Sequence, residues 1–149
     1  MKRFRYRLER FLDLAKYEEH QWELRLAEIT GICIALKSEI SSLQSRKAHA
    51  FASRSGTVYA DDLLSIELFM KNMDQRIAKL EVTLAEKEKK REEIRLGYLE
   101  ASKKRKVLDK LKEKKAAEYY KEQNRAEVGV IDDINSGTAA RARAGTVET

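Results

Sequence analysis

Leu26-Ala27-Glu28-Ile29-Thr30-Gly31-Ile32-Cys33-Ile34-Ala35-Leu36-Lys37-Ser38-Glu39-Ile40-Ser41-Ser42-Leu43 decides how this chain folds. Leu26, Ile29, Cys33, Leu36, Ile40 and Leu43 recur at alternating steps of three and four. That spacing lines side chains along one narrow seam of a helix rather than a broad buried face. The seam extends both ways: Leu8, Leu12, Ala15, Glu19 and Trp22 precede it, and Lys47 and Ala50 follow, with only Glu19 and Lys47 charged. Gly31 lies inside the pattern at a cost of roughly 1 kcal/mol against alanine, which so long a helix absorbs.

The pattern then stops. Ser53, Ser55, Gly56 and Thr57 form the one cluster of turn residues in mid-chain, with Gly56 suited to a positive φ and Asp61 to an N-cap. A second seam starts beyond it: Ile66, Met70, Met73, Ile77, Leu80, Leu84, Lys87, Arg91, Ile94, Tyr98, Ala101, Arg105 and Leu108. Folding about Gly56 sets Glu19 level with Arg91 and Arg95, which predicts a polar layer there. The step from Leu108 to Leu111 breaks the alternation, so the supercoil relaxes at that point.

Composition agrees with this reading. The 149 residues are 38% charged and 7% aromatic and contain no proline, where average usage would give about seven. Proline removes a backbone donor and clashes with the preceding turn, so its absence favours uninterrupted helices. Hydrophobic residues make up 42%, enough for a thin seam but with few large side chains for a globular core. The fold class is therefore all-α: a long two-helix antiparallel coiled-coil hairpin with a disordered C-terminal tail. Its hairpin occupies residues 1–135, with helices over about 4–52 and 61–127 and a turn over about 53–60. Residues 136–149 have no useful period and form the tail. The helices measure roughly 72 Å and 98 Å at 1.5 Å per residue, so the second outruns the first.

The outrunning part is strongly basic. Lys103, Lys104, Arg105, Lys106, Lys110, Lys112, Lys114 and Lys115 surround Val107, Leu108 and Leu111, opposed there only by Asp109 and Glu113. A net charge of +6 points to acidic partners without naming them. Cys33 is the single cysteine, so no internal disulfide or zinc pattern exists, and the chain suits a reducing cytoplasm. No run approaches a membrane span, and no apolar region of a signal peptide follows the basic N-terminus. His20 and His49 lack neighbouring ligands. Phosphate loop, nucleophile elbow and convergent acid–base set are all missing, so the sequence predicts no enzyme and no cofactor.

Phe4-Arg-Tyr-Arg-Leu-Glu-Arg-Phe-Leu12 resembles the N-terminal signature of the FliJ family, the small soluble component of the bacterial flagellar type III export apparatus. Tyr98-Leu-Glu-Ala101, Lys106 through Lys115, Glu118 through Glu127 and Ile131-Asp-Asp-Ile134 are similar to its C-terminal signature. The resemblance covers roughly residues 1 to 135. It implies a stalk-like antiparallel coiled coil, similar to those of injectisomes, whose paired termini sit in the central channel of the hexameric flagellar export ATPase. It also implies stimulation of that ATPase, coupling to the membrane export gate protein, and handling of export chaperones. Localisation would be cytoplasmic and peripheral at the membrane face, in a protein of flagellum biogenesis and chemotaxis.

Phe4, Arg5, Arg7, Phe11, Lys106, Lys110, Lys112, Lys114, Lys115, Tyr119 and Tyr120 are the expected partner-binding residues, since aromatic and arginine side chains dominate binding hot spots. Each has a structural alternative: the N-terminal apolar residues pack on Val107, Leu108 and Leu111, and the lysines form a solvated face. Tyr119 and Tyr120 are adjacent, so one seam cannot take both. Phe51, Val58 and Tyr59 at the turn either meet a second partner or close the turn. Three other functions remain open: nucleic-acid binding by the basic helix, which salt would weaken steeply; membrane attachment by the first fifteen residues; and a plain structural coiled coil. Against nucleic acid, a zipper-type reader has its basic region N-terminal to the seam and an Asn/Ala/Arg base-reading pattern that is absent here; membrane association is expected to be indirect or weak.

Overall fold

A computed structural model describes residues 3–56 and 59–145. Two helices account for nearly all of it, α1 (Glu9–Arg54) and α2 (Ala60–Gly145), and they pack together as an antiparallel hairpin. The chain divides into two units, one formed by Lys16–Lys103 and one by Met1–Ala15 with Lys104–Thr149. Each helix contributes to both.

Burial follows the two seams residue by residue. Leu12, Ala15, Ile29, Cys33, Ile40 and Leu43 of α1 and Met73, Ile77 and Ala101 of α2 are buried. Trp22, Leu26, Leu36, Leu80, Leu84, Ile94 and Leu108 are half-buried, as are the charged Glu19, Lys47, Lys87, Arg91 and Arg105. In the Lys16–Lys103 unit, Ile40, Leu43, Met73 and Ile77 form the central cluster, with Leu80 and Leu84 against it. Cross-helix ion pairs edge it: Lys37–Glu88 at 3.0 Å, Lys47–Asp74 at 2.6 Å and Arg54–Glu67 at 2.6 Å. Exposed pairs of this kind contribute little stability, but they report the register.

That register corrects the expected polar layer. The pairs Lys47–Asp74 and Arg54–Glu67 are centred near residue 60 rather than on Gly56, because the connection continues through Tyr59. Arg95 turns away from the seam and binds Glu92 on its own helix at 2.6 and 2.9 Å. Opposite Trp22 stands Gly97: a methyl built there would lie 2.6–2.8 Å from three Trp22 ring carbons. The ring fills the space that any other residue's Cβ would need. Arg25 lies over the Trp22 ring, 5.0 Å from its centroid, a geometry favoured by the ring quadrupole.

The turn also differs from expectation. Gly56 has no positive φ; its amide binds Ser53 O at 3.4 Å, and the Ser53 and Ser55 hydroxyls donate to His49 O and Ala52 O. These bonds occupy carbonyls that the helix end leaves free. Helix α2 begins at Ala60, so Asp61 is inside the first turn with Asp62 and acts through the helix dipole rather than as the cap. Val58 lies outside the described residues.

At the other end, the break expected after Leu108 is bridged by Lys112, whose stem is half-buried one step of four further on, followed by Ala116, Tyr119 and Gln123. Helix α2 then continues through Gly145, past both the expected helix end at 127 and the tail boundary at 135. Alanine and arginine between Ala139 and Ala144 are strong helix formers and no proline interrupts them. From Asn124 onward every described residue is exposed, so no buried side chain anchors this stretch, and isolated helices of that kind are marginal in water.

Two measurements check this account. Gly31 has open space around its would-be Cβ, so Gly31→Ala should raise stability by about 0.5–1 kcal/mol in urea unfolding. Gly97→Ala should lose that benefit and more through the clash, by about 1–3 kcal/mol, with a shift of Trp22 emission; a stabilised Gly97→Ala protein with unchanged emission would refute the packing. In amide hydrogen exchange, residues 124–145 should exchange orders of magnitude faster than those around Ile40 and Met73.

Candidate functional site

The expected first helix begins five residues late. Residues 3–6 have no regular secondary structure and Arg7–Leu8 form a turn into α1, closed by the Glu9 amide on Tyr6 O at 3.2 Å. Within this strap Phe4, Tyr6 and Leu8 are half-buried while Arg3, Arg5 and Arg7 are exposed. Such strict alternation is the period of extended chain, whose successive side chains point to opposite sides. The pattern Arg-Phe-Arg-Tyr-Arg-Leu carried that signal in the sequence, hidden because Leu8 also fits the helical seam.

The strap lies along α2 within the Met1–Ala15 and Lys104–Thr149 unit. The Tyr6 hydroxyl donates to Leu108 O at 3.2 Å. The Phe4 ring meets Tyr119 at 5.6 Å between centroids, and Tyr119 meets Tyr120 edge-on at 5.6 Å. Phe4 is thus packed rather than free at the chain end, whereas Phe11 (62% exposed) and Tyr120 (52% exposed) face solvent. A groove of about 330 Å³ runs between strap and helix, with Phe4, Leu8 and Leu111 as its apolar walls and Arg5, Arg7 and Lys115 at its rim.

The basic run divides by partner. Lys112 Nζ binds Glu9 Oε1 at 2.7 Å, tying α2 to the start of α1. That bond holds the Lys112 ammonium above the ordinary lysine value of 10.5, against a smaller desolvation effect, with Asp13 and Asp109 adding to the Glu9 charge. Arg105 binds Asp109 at 2.5 Å and Lys115 binds Glu118 at 3.0 Å. The Lys115 contact keeps the Glu118 carboxyl below its ordinary value. Lys106, Lys110 and Lys114 are exposed, and Val107, expected under the N-terminal residues, is 65% exposed. Of the named lysines, then, Lys112 is structural at this face and the others are presented outward.

Near the turn, in the Lys16–Lys103 unit, Phe51 and Tyr59 are 59% and 73% exposed, and Leu64, Leu68 and Phe69 are exposed as well. The two leucines, one helical turn apart on the outer face of α2, were not singled out from the sequence, where their apolar character reads as core. Among the described residues no cluster of three or more His, Cys, Asp or Glu side chains could hold a metal ion, and no helix is long and apolar enough to cross a membrane.

The fold is that of a long helical hairpin with its charges and aromatics displayed on helix faces and a short strap. A family model described as "Flagellar FliJ protein" matches residues 4–144. The chain belongs to this flagellar, export-related family, and the match continues past residue 135, where the terminal motifs end. No curated protein and no solved structure matches it.

Two substitutions separate the contacts of the strap. Tyr6→Phe should cost about 0.5–1.5 kcal/mol of strap closure, read as faster trypsin cleavage at Arg5 and Arg7. Lys112 is raised in the folded protein, so its contribution is complete below pH 10.5 and is lost as pH rises through the folded value. A Lys112→Met protein should therefore melt slightly below wild type at pH 8, and the difference should shrink as pH rises through the raised Lys112 value. A difference that grew with pH would reverse the assignment.

Proposed function

We propose that this chain is a non-enzymatic component of the flagellar type III export apparatus that binds and stimulates the hexameric export ATPase and couples it to the membrane export gate protein and export chaperones. The family match to a flagellar protein supports the setting. The observation that carries the contact is the strap, where Phe4, Tyr6 and Leu8 fasten the backbone to α2 and leave Arg3, Arg5 and Arg7 pointing outward. Arginine presented on a fixed backbone loses less conformational freedom on binding than arginine on a loose terminus, and its planar fork pairs bidentately with carboxylates. Acidic loops of an ATPase ring are the matching surface.

Phe11, Tyr120 and the outward Lys115 extend the same surface, while Tyr119 acts through its ring contact with Phe4. The exposed Phe51, Tyr59, Leu64 and Leu68 near the turn form a separate apolar surface suited to an export chaperone or the gate protein. The protein would work in the cytoplasm, at the membrane face where the gate protein lies.

ATP hydrolysis by the cognate export ATPase, with and without this protein at near-physiological salt, tests the reading. Wild type should stimulate turnover, and Arg5→Glu with Arg7→Glu should abolish most of the stimulation while circular dichroism stays at the wild-type level. Stimulation unchanged by both charge reversals would remove the strap from the contact. Absence of stimulation together with absence of co-elution would remove the ATPase as partner.

A further inference from the structure

The outer face of α2 carries cations that neither the hairpin nor the strap uses. Lys106, Lys110, Lys114, Lys121 and Arg125 are all exposed. At 3.6 residues per turn they fall on one side of the helix, opposite the seam of Arg105, Leu108, Lys112 and Tyr119, in a row about 28 Å long. Among the described residues no carboxylate lies within ion-pair distance of Lys106, Lys110, Lys121 or Arg125. Between Lys110 and Arg125 the row's one apolar member is the small Ala117, with the exposed Val107 and Val128 towards its two ends.

The acids of this stretch stand on both shoulders of the row, Asp109 and Glu113 on one side and Glu118 and Glu122 on the other. This arrangement selects among polyanions. A helix lodged in a nucleic-acid groove has phosphates on both flanks as well as in front, so the shoulders would bring carboxylates against phosphate. A planar array of anions meets the front alone. Lysine is also depleted from protein–protein interfaces, whose centres exclude strongly hydrated charge, and the row has no apolar knobs for a partner helix to grip. Each lysine or arginine near an anionic bilayer surface is worth about 1 kcal/mol without any insertion.

We propose that this face of α2, from Lys106 to Arg125, adsorbs electrostatically to anionic lipid headgroups. The inference is independent of the ATPase reading, since it uses charges on the face away from the strap. It assigns direct membrane contact to the far helix rather than to the first fifteen residues, whose aromatic side chains Phe4 and Tyr6 are packed at home.

The full chain is floated with phosphatidylcholine vesicles and with vesicles containing about one-third phosphatidylserine, over a salt series. Binding is expected only to the anionic vesicles, falling steeply as salt rises. Replacing Lys106, Lys110, Lys114 and Lys121 by glutamine should weaken it on the order of a thousandfold with helicity unchanged, as all four side chains are exposed. Replacing the exposed Lys71, Lys79, Lys89 and Lys90 instead removes the same net charge and should weaken it far less. Equal losses in the two variants, equal binding to neutral vesicles, or no anionic binding at low salt would each overturn the proposal. So would tighter binding to a DNA duplex through the same four lysines at matched salt.

Discussion

A seam barely one side chain wide governs this protein. Two helices meeting along alternating steps of three and four bury a few methyl-bearing groups per turn, and among the described residues only nine apolar side chains are buried. Burial of apolar area is the chief favourable contribution to folding, so each seam position matters more here than in a globule with a deep core. Most of the surface is left free of structural duty. Charges and aromatics on the outer faces can be placed for partners with little effect on the fold, and this is where the exposed leucines, tyrosines and lysines accumulate.

The repeat made the fold legible. Leu12, Ile29, Cys33, Ile40 and Leu43 on one helix, and Met73, Ile77 and Ala101 on the other, are buried where the three–four count places them. The half-buried ring of Lys47, Lys87, Arg91 and Arg105 occupies the charged positions of the same count. Trp22 and Cys33, heavier and softer than ordinary seam aliphatics, have local explanations: a glycine across from the indole, and a fully enclosed position for the thiol. Lysine stems cover apolar surface while their ammonium groups stay in water, and so Lys112 continues a seam that seemed to break at Leu111.

The candidate site was less legible, for physical reasons. Leu8 satisfies both a period of two and the helical seam, and from Leu8 alone the second reading hides the first; the alternation of Arg3, Arg5 and Arg7 with Phe4 and Tyr6 resolves it. Register could not come from the repeat, because a heptad pattern fits equally well after a slip of seven residues. It came from contacts that do not repeat, such as Lys47–Asp74 and Arg54–Glu67. Composition described Ser136–Gly145 as irregular, yet alanine and arginine favour helix wherever nothing opposes it, and a helix without packing lies close to the line between order and disorder.

Gly97 gives that register a mechanical consequence. Sliding one helix by a heptad would bring Trp22 against Lys90 or Lys104, where a long side chain occupies the space that glycine leaves open. The indole therefore works as a key in a single notch, and an axial push on one helix passes to its neighbour instead of being dissipated as slippage along the seam. Within the Lys16–Lys103 unit, a thin hairpin indexed in this way resists slippage even though no thick core braces it.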